Sequence, residues 1–359
     1  VLAQQTRPPQ DTAQSQVNPN AHPEQSAGDW LGVPLVFYSP ETLLAGGVVG
    51  IYYFRVPGSE RDTRPSNIKG DVIYTMREQF LAQVSPQLYF DNEKYFLDTE
   101  LSFVRYFDRY WGIGNQTPES NREEYTSDTF RGRVGLLRRL PPYMNFGPRL
   151  HFEDVRLRTF APGGLIDTDE SLVGSRQSSS SGYGIEAQFD SRDNYFSATR
   201  GAFVSAQAMV FTRTLGGNVT YLLYRFDART FLRTFPGHVL ALQGYFNSVT
   251  PGAPFTALSS LGGINRMRGL FEGRFRDRLA AIVQVEYRMP IYWRFSGVAF
   301  AAAGQVAPRL DAFDLRDVHL TGGGGVRFTL KEEERISLRF DVGFSVQGPA
   351  FYISANEAF

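Results

Sequence analysis

The 359-residue chain has no cysteine, no excess charge of either sign and only three tryptophans. The missing cysteines exclude a disulfide framework and thiol chemistry. Lys+Arg and Asp+Glu both number 37, so there is no basic excess to mark a nucleic-acid partner. No run of about 18 apolar residues occurs, which excludes a transmembrane helix. The four histidines, His22, His151, His238 and His319, lack metal-ligand spacing. No Gly-x-Ser-x-Gly elbow is present, and Ser178–Ser181 reads as a solvated stretch. We therefore expect no metal, no cofactor and no enzymatic activity. The mean hydropathy of −0.27 has a soluble look. A transmembrane barrel gives the same value, because half of each strand faces a polar interior.

What is present is aromatic, glycine-rich and alternating. Phe (30) and Tyr (18) dominate the aromatic residues, as suits strands and interfacial girdles. The start, Val1-Leu2-Ala3-Gln4, reads as the tail of a cleaved secretory signal or as a mature start. Residues 1–28 are rich in Gln, Pro, Asn and Ser and have too little apolar surface to offset ordering entropy. We expect a disordered polar lead there and a single domain over 29–359.

From Trp30 onward the pattern has period two. In 335–346, Ile336, Leu338, Phe340, Val342 and Phe344 fall on one face. Ser337, Arg339, Asp341, Gly343 and Ser345 fall on the other. The same alternation recurs in 94–107, 181–190, 219–233 and 279–290. Sixteen strands are expected: 32–39, 43–56, 67–77, 80–90, 94–107, 125–139, 143–158, 181–190, 200–213, 218–233, 237–249, 279–290, 296–306, 318–330, 335–346 and 350–359. Many reach about 10 residues, enough to cross a bilayer at a tilt. No helical periodicity competes. The long connections 108–124, 159–180 and 250–278 alternate with short turns, as in barrels whose long loops face outward; 57–66 is a longer short-side connection. The polar faces carry Glu186, Arg225, Asp227, Arg229, Glu286, Arg288, Arg339 and Asp341, which we expect to form a balanced internal network. A selective pore would show one dominant sign. Gly322–Gly325 has no following helix and is no phosphate loop.

Within 250–278 stands Met267-Arg268-Gly269-Leu270, followed by Phe271-Glu272-Gly273-Arg274-Phe275-Arg276-Asp277. It resembles the Val-Arg-Gly-Phe/Tyr loop of the BamA/TamA-like outer-membrane assembly factors. The resemblance implies that the loop folds into the barrel and that Arg268 meets acids on the inner wall. Glu286, in Glu-Tyr-Arg-x-Pro, matches the strand 12 acid. The strand 13 motif Phe-x-Asp-x-Gly reads Phe300-Ala301-Ala302-Ala303-Gly304, so Ala302 replaces the Asp. Glu286 is then the expected partner of Arg268, helped by Asp341 on strand 15. Asp190, Arg192, Asp193, Asn194 and Gly201 match the family's strand 8–9 turn, with Ala198 at its usual Pro. Phe37–Thr42 is placed like the first hairpin. The terminal Phe359, in phase with Phe351 and Ile353, looks like the C-terminal insertion signal.

The reading is an all-β fold: a sixteen-stranded antiparallel transmembrane β-barrel of the bacterial outer membrane with a lumen-inserted extracellular loop. The resemblance implies protein insertion or translocation through a weak seam between first and last strands. Pro34 and Pro40 in a short first strand suit such a seam. About thirty residues precede that strand, so we expect no POTRA domain and a role as a subunit of a larger outer-membrane complex, with periplasmic partners in trans. Outer-membrane lipids and lipopolysaccharide are the expected surroundings. The alternative is a passive channel or structural barrel that has lost insertase activity, which the loss of the strand 13 Asp favours.

Overall fold

The computed structural model describes residues 30–56, 65–333 and 335–359. The polar lead 1–28, most of the 57–66 connection and Glu334 lie outside the described residues. A single closed sheet makes the wall. Its strands in chain order are β1 (Trp30–Ser39), β2 (Leu43–Phe54), β3 (Ser66–Thr75), β4 (Phe80–Phe90), β5 (Tyr95–Tyr110), β6 (Glu123–Leu140), β7 (Met144–Thr159) and β8 (Gln177–Asp190). They continue as β9 (Gly201–Phe211), β10 (Tyr221–Arg233), β11 (Val239–Val249), β12 (Leu279–Tyr292), β13 (Phe295–Ala307), β14 (His319–Lys331), β15 (Ile336–Ser345) and β16 (Gly348–Ala355). Each strand pairs antiparallel with its sequence neighbours, and β16 returns to β1. All sixteen expected strands are present. The connection 250–278 adds a two-residue ribbon, Ser259–Ser260 with Arg276–Asp277.

The alternation sorts as expected. On β15, Ser337, Arg339 and Asp341 are buried inward while Phe340 and Phe344 are exposed on the outer wall. On β12, Gln284, Glu286 and Arg288 are buried and Val283 is exposed. Polar groups therefore sit inside, where they can pair, and apolar ones outside, where water need not be displaced. The apolar core lies within the lumen and is built by the inserted loop. Met267, Leu270, Leu261 and Phe275 of that loop pack on Tyr245, Ile282 and Ala302 of the wall. Phe255 packs with Tyr110, Tyr125, Ile166 and Leu172 nearer the long-loop end.

The seam differs from every other junction. β1 runs in register with β2 from Trp30↔Tyr52 to Ser39↔Leu43, yet it meets β16 at one register pair, Tyr38↔Ile353. β1 is not the short strand expected: it begins at Trp30 and has 10 residues. In the register of that pair Leu35 would face Asn356, and there the chain leaves the sheet. Asn356 adopts φ 61° and its amide donates to the Ser337 carbonyl at 2.7 Å. The expected last strand 350–359 thus ends at Ala355. Phe359 does not stand in phase on the outer wall. It is buried against Ala198, Phe231, Val239 and Ala241 at the short-turn end.

Candidate functional site

Arg268 is 2% exposed and has two carboxylate partners rather than one principal one. One terminal nitrogen donates to Glu286 of β12 and the other to Asp341 of β15. Its guanidinium lies over the Phe300 ring of β13, 3.6 Å from the centroid. The position of the missing Asp, Ala302, packs against the Met267 cluster instead. β13 thus supplies an aromatic face, and the second acid comes from β15. A buried guanidinium is tolerable only when carboxylates meet its charge, and here both terminal nitrogens are met.

Glycines make the room. A Cβ on Gly325 would lie 1.9 Å from Asp341 Oδ1, and one on Gly323 would lie 2.7 Å from the Phe300 ring. The Gly322–Gly325 tract therefore lets β14 pass behind the anchor. Gly269 has φ 107°, and a Cβ there would strike the Phe344 amide nitrogen at 2.7 Å. The loop backbone lies directly on β15, an approach that only a residue without a Cβ allows.

The anchor sits inside a larger charge cluster. Arg288 Nε donates to Glu286 Oε1 at 2.8 Å. Arg327 Nη1 donates to Asp341 Oδ1 at 2.6 Å and its Nε to Glu357 Oε2 at 2.7 Å. Arg339 Nη2 donates to Asn265 Oδ1 at 3.2 Å, so it touches the loop itself. Arg327 and Glu357 were not among the residues singled out by sequence. An arginine following a glycine run on the inward phase of β14 was the available signal for Arg327.

The expected internal network holds elsewhere too: Arg149 bridges Glu186 and Asp98, and Arg229 meets Asp227 at 2.7 Å. Arg225 is met by the Asn247 amide oxygen at 3.1 Å instead of a carboxylate.

The loop has further holds. Arg276 Nη2 donates to Asp108 Oδ2 at 2.5 Å and its Nη1 to the Tyr125 hydroxyl at 3.2 Å, tying the loop to β5 and β6. Arg274 donates to the Thr117 carbonyl at 2.6 Å. The segment 269–272 also bridges the seam. The Gly269 amide donates to the Tyr352 hydroxyl of β16 at 2.9 Å, and the Phe271 amide to Gln347 Oε1 at 2.9 Å. On the other side the Glu272 amide donates to Glu41 Oε1 in the β1–β2 turn at 3.0 Å. Ile264 packs with both Phe37 of β1 and Tyr352 of β16. Burial raises the Glu41 carboxyl above its ordinary range, and the Glu272 charge adds to this.

The strand 8–9 turn is equally determined. Asp190 receives Arg192 Nε at 2.9 Å and Nη2 at 2.7 Å. Asp193 Oδ1 receives the Thr199 amide at 2.8 Å, and its Oδ2 receives Arg335 Nη1 at 2.8 Å from the β14–β15 turn. Asn194 Oδ1 receives the Phe196 and Ser197 amides at 2.8 and 2.9 Å. Gly201 has φ 97°, with the Ser191 carbonyl 2.2 Å from any Cβ. Ala198 is buried under Phe359, and its carbonyl accepts from Arg288 at 3.2 Å. The turn thus reaches across the barrel end to the last strands.

Comparison with known proteins bears on the fold and the family. Among curated proteins no sequence match reaches significance. Among solved structures, the chain is similar to BamA from Haemophilus ducreyi lacking POTRA domains 1–3, with a TM-score of 0.65 and 12% identity over 92% of this chain and 71% of that one. It is similar to CdiB from Acinetobacter baumannii (TM-score 0.60, 13% identity, 91% of this chain and 59% of that one). It is also similar to CdiB from Escherichia coli (TM-score 0.60, 14% identity, 92% and 63%). At these identities the likeness is one of fold. Residues 74–349, which include the lumen loop, both its acids and the strand 8–9 turn, match the Omp85 superfamily domain, and the chain belongs to that superfamily.

Proposed function

We propose that this chain is a non-catalytic barrel of the bacterial outer membrane that serves protein insertion or translocation, working with partner subunits. The observation that carries the reading is the seam. β1 and β16 share one register pair, and the lumen loop joins them from inside through Glu41, Gln347 and Tyr352. A junction with so few ladder bonds opens at lower cost than any other in the wall, and the loop sets when it opens. Membership of the Omp85 superfamily and the likeness to BamA and CdiB folds support this direction. The test is a reversible lock. Tyr38→Cys with Ile353→Cys places two thiols at the seam pair. Oxidation should abolish insertion of a substrate barrel in a reconstituted assay, and reduction should restore it. Full activity in the oxidised form would refute a seam that works by opening.

Ala302 favours a second reading, a passive or structural barrel. Steady large single-channel openings in the wild-type protein would support it.

A further inference from the structure

In the half of the described wall nearest the long loops, outward charge is confined to one place. There the described outward positions of β1–β4 and β8–β16 carry no Asp, Glu, Lys or Arg. β5, β6 and β7 together present Arg105, Arg109, Glu124, Asp128, Asp154, Arg156 and Arg158. Directly below runs an aromatic row on the same face. Phe103 pairs with Phe130, and the Phe130 and Phe152 rings are 6.1 Å apart. Longer strands could simply carry these charges into water. Arg105, however, stands opposite Phe80, the first residue of β4, at the rim where the neighbouring apolar wall stops. That is the level of lipid headgroups.

The cluster is organised. Asp128 is 7% exposed although it faces outward, because two arginines cover it. Arg105 donates to it through Nε at 2.8 Å and Nη2 at 3.1 Å, and Arg158 through Nε at 2.6 Å. Arg156 Nε donates to Asp154 at 2.9 Å. The Nη1 groups of Arg105 and Arg158 have no partner among the described residues. These three side chains remain 47%, 59% and 65% exposed for Arg105, Arg158 and Arg156. Arg109 and Glu124 pair at 3.1 Å and cancel. Three arginines against two aspartates leave one positive charge.

We propose that this patch is a binding site for the phosphorylated headgroup of a lipid in the leaflet at the long-loop end, with Arg105, Arg158 and Arg156 as donors. Guanidinium groups suit phosphate oxygens by charge and fork geometry. The shared Asp128 fixes two of them beforehand, so little side-chain freedom is lost on binding. The patch faces β5–β7, away from the seam. A bound lipid there orients the barrel without obstructing β1 or β16.

The inference rests on reading the barrel as membrane-spanning, and its test is independent of what the seam does. Delipidated full-length protein is titrated with lipid A, and separately with the same lipid dephosphorylated, by native mass spectrometry. The triple variant Arg105→Gln/Asp128→Asn/Arg158→Gln leaves no orphan carboxylate. It should lose roughly tenfold in apparent affinity for the phosphorylated lipid and nothing for the dephosphorylated one. Arg156→Gln, which leaves Asp128 covered, should show a smaller loss in the same direction and keeps the test open if the triple variant fails to fold. Heat-modifiability reports folding. Unchanged affinity in both variants, or an equal loss for both lipids, would overturn the proposal.

Discussion

Arg268 is the residue on which β12, β13 and β15 converge. Replacing it with Ala leaves Glu286 and Asp341 facing each other's charge without the group that separates them. We expect a loss of about 3–5 kcal/mol, the usual cost of breaking a buried pair from one side, read as a lower heat-modification midpoint. Asp341→Asn should cost about as much as Glu286→Gln, since both acids touch the same guanidinium. A negligible effect for Asp341→Asn beside a large one for Glu286→Gln would restore the single-acid anchor. Gly269→Ala combines a positive φ with a 2.7 Å backbone clash and should cost about 1–3 kcal/mol. Glu286 and the loop were legible because a motif carries them. The equal share of Asp341 was not. It depends on Gly323, Gly325 and Gly343 being small enough for the loop and β15 to touch. Arg327 is harder to see for a similar reason: it follows a glycine run that has no side chains to show the alternation, and only its own inward phase marks it.

At the scale of elements, strands were readable because inner and outer faces meet different surroundings and period two records that difference. Their pairing ends were less so. Ile353 to Phe359 continues the alternation on paper, but the positive φ of Asn356 breaks it and turns Phe359 inward. The strand 8–9 turn gives an element-scale prediction. Burial alone would raise the Asp193 carboxyl, but Thr199, Arg335 and the Thr199 and Arg200 amides outweigh it and hold it at about 2. A depressed folded-state pKa means the contribution is whole above the ordinary value of 3.8 and is lost as pH falls through about 2. Protease protection of 191–200 should therefore stay constant from pH 8 to about 4. Asp193→Asn should lower it throughout that range. Protection that decays between pH 7 and 5 would contradict the assignment. Glu41 carries the opposite sign. Its raised carboxyl stabilises the fold below 4.5 and loses that contribution as pH rises through its folded-state value. Glu41→Gln should flatten the stability difference between mildly acid and neutral pH.

For the whole molecule, packed segments hold the barrel at both ends. The loop enters from one side and is tied to β5, β6, β12, β15 and both edges of the seam. The strand 8–9 turn and the residues after β16 lie at the other end, joined through Arg288, while Arg335 ties that turn to the β14–β15 turn. Between loop and wall, the pocket lined by Asp108, Tyr125, Arg131, Glu153 and Arg276 has free space of only about 70 Å³. The seam and the plug are thus one mechanical system, which the seam alone would not be. The central claim is that the Arg268 anchor keeps this lumen shut, and planar-bilayer conductance measures it most directly. The wild-type protein should be nearly silent and Arg268→Ala should show frequent openings. Steady large openings in the wild type, or an Arg268→Ala variant as silent as the wild type, would contradict the account.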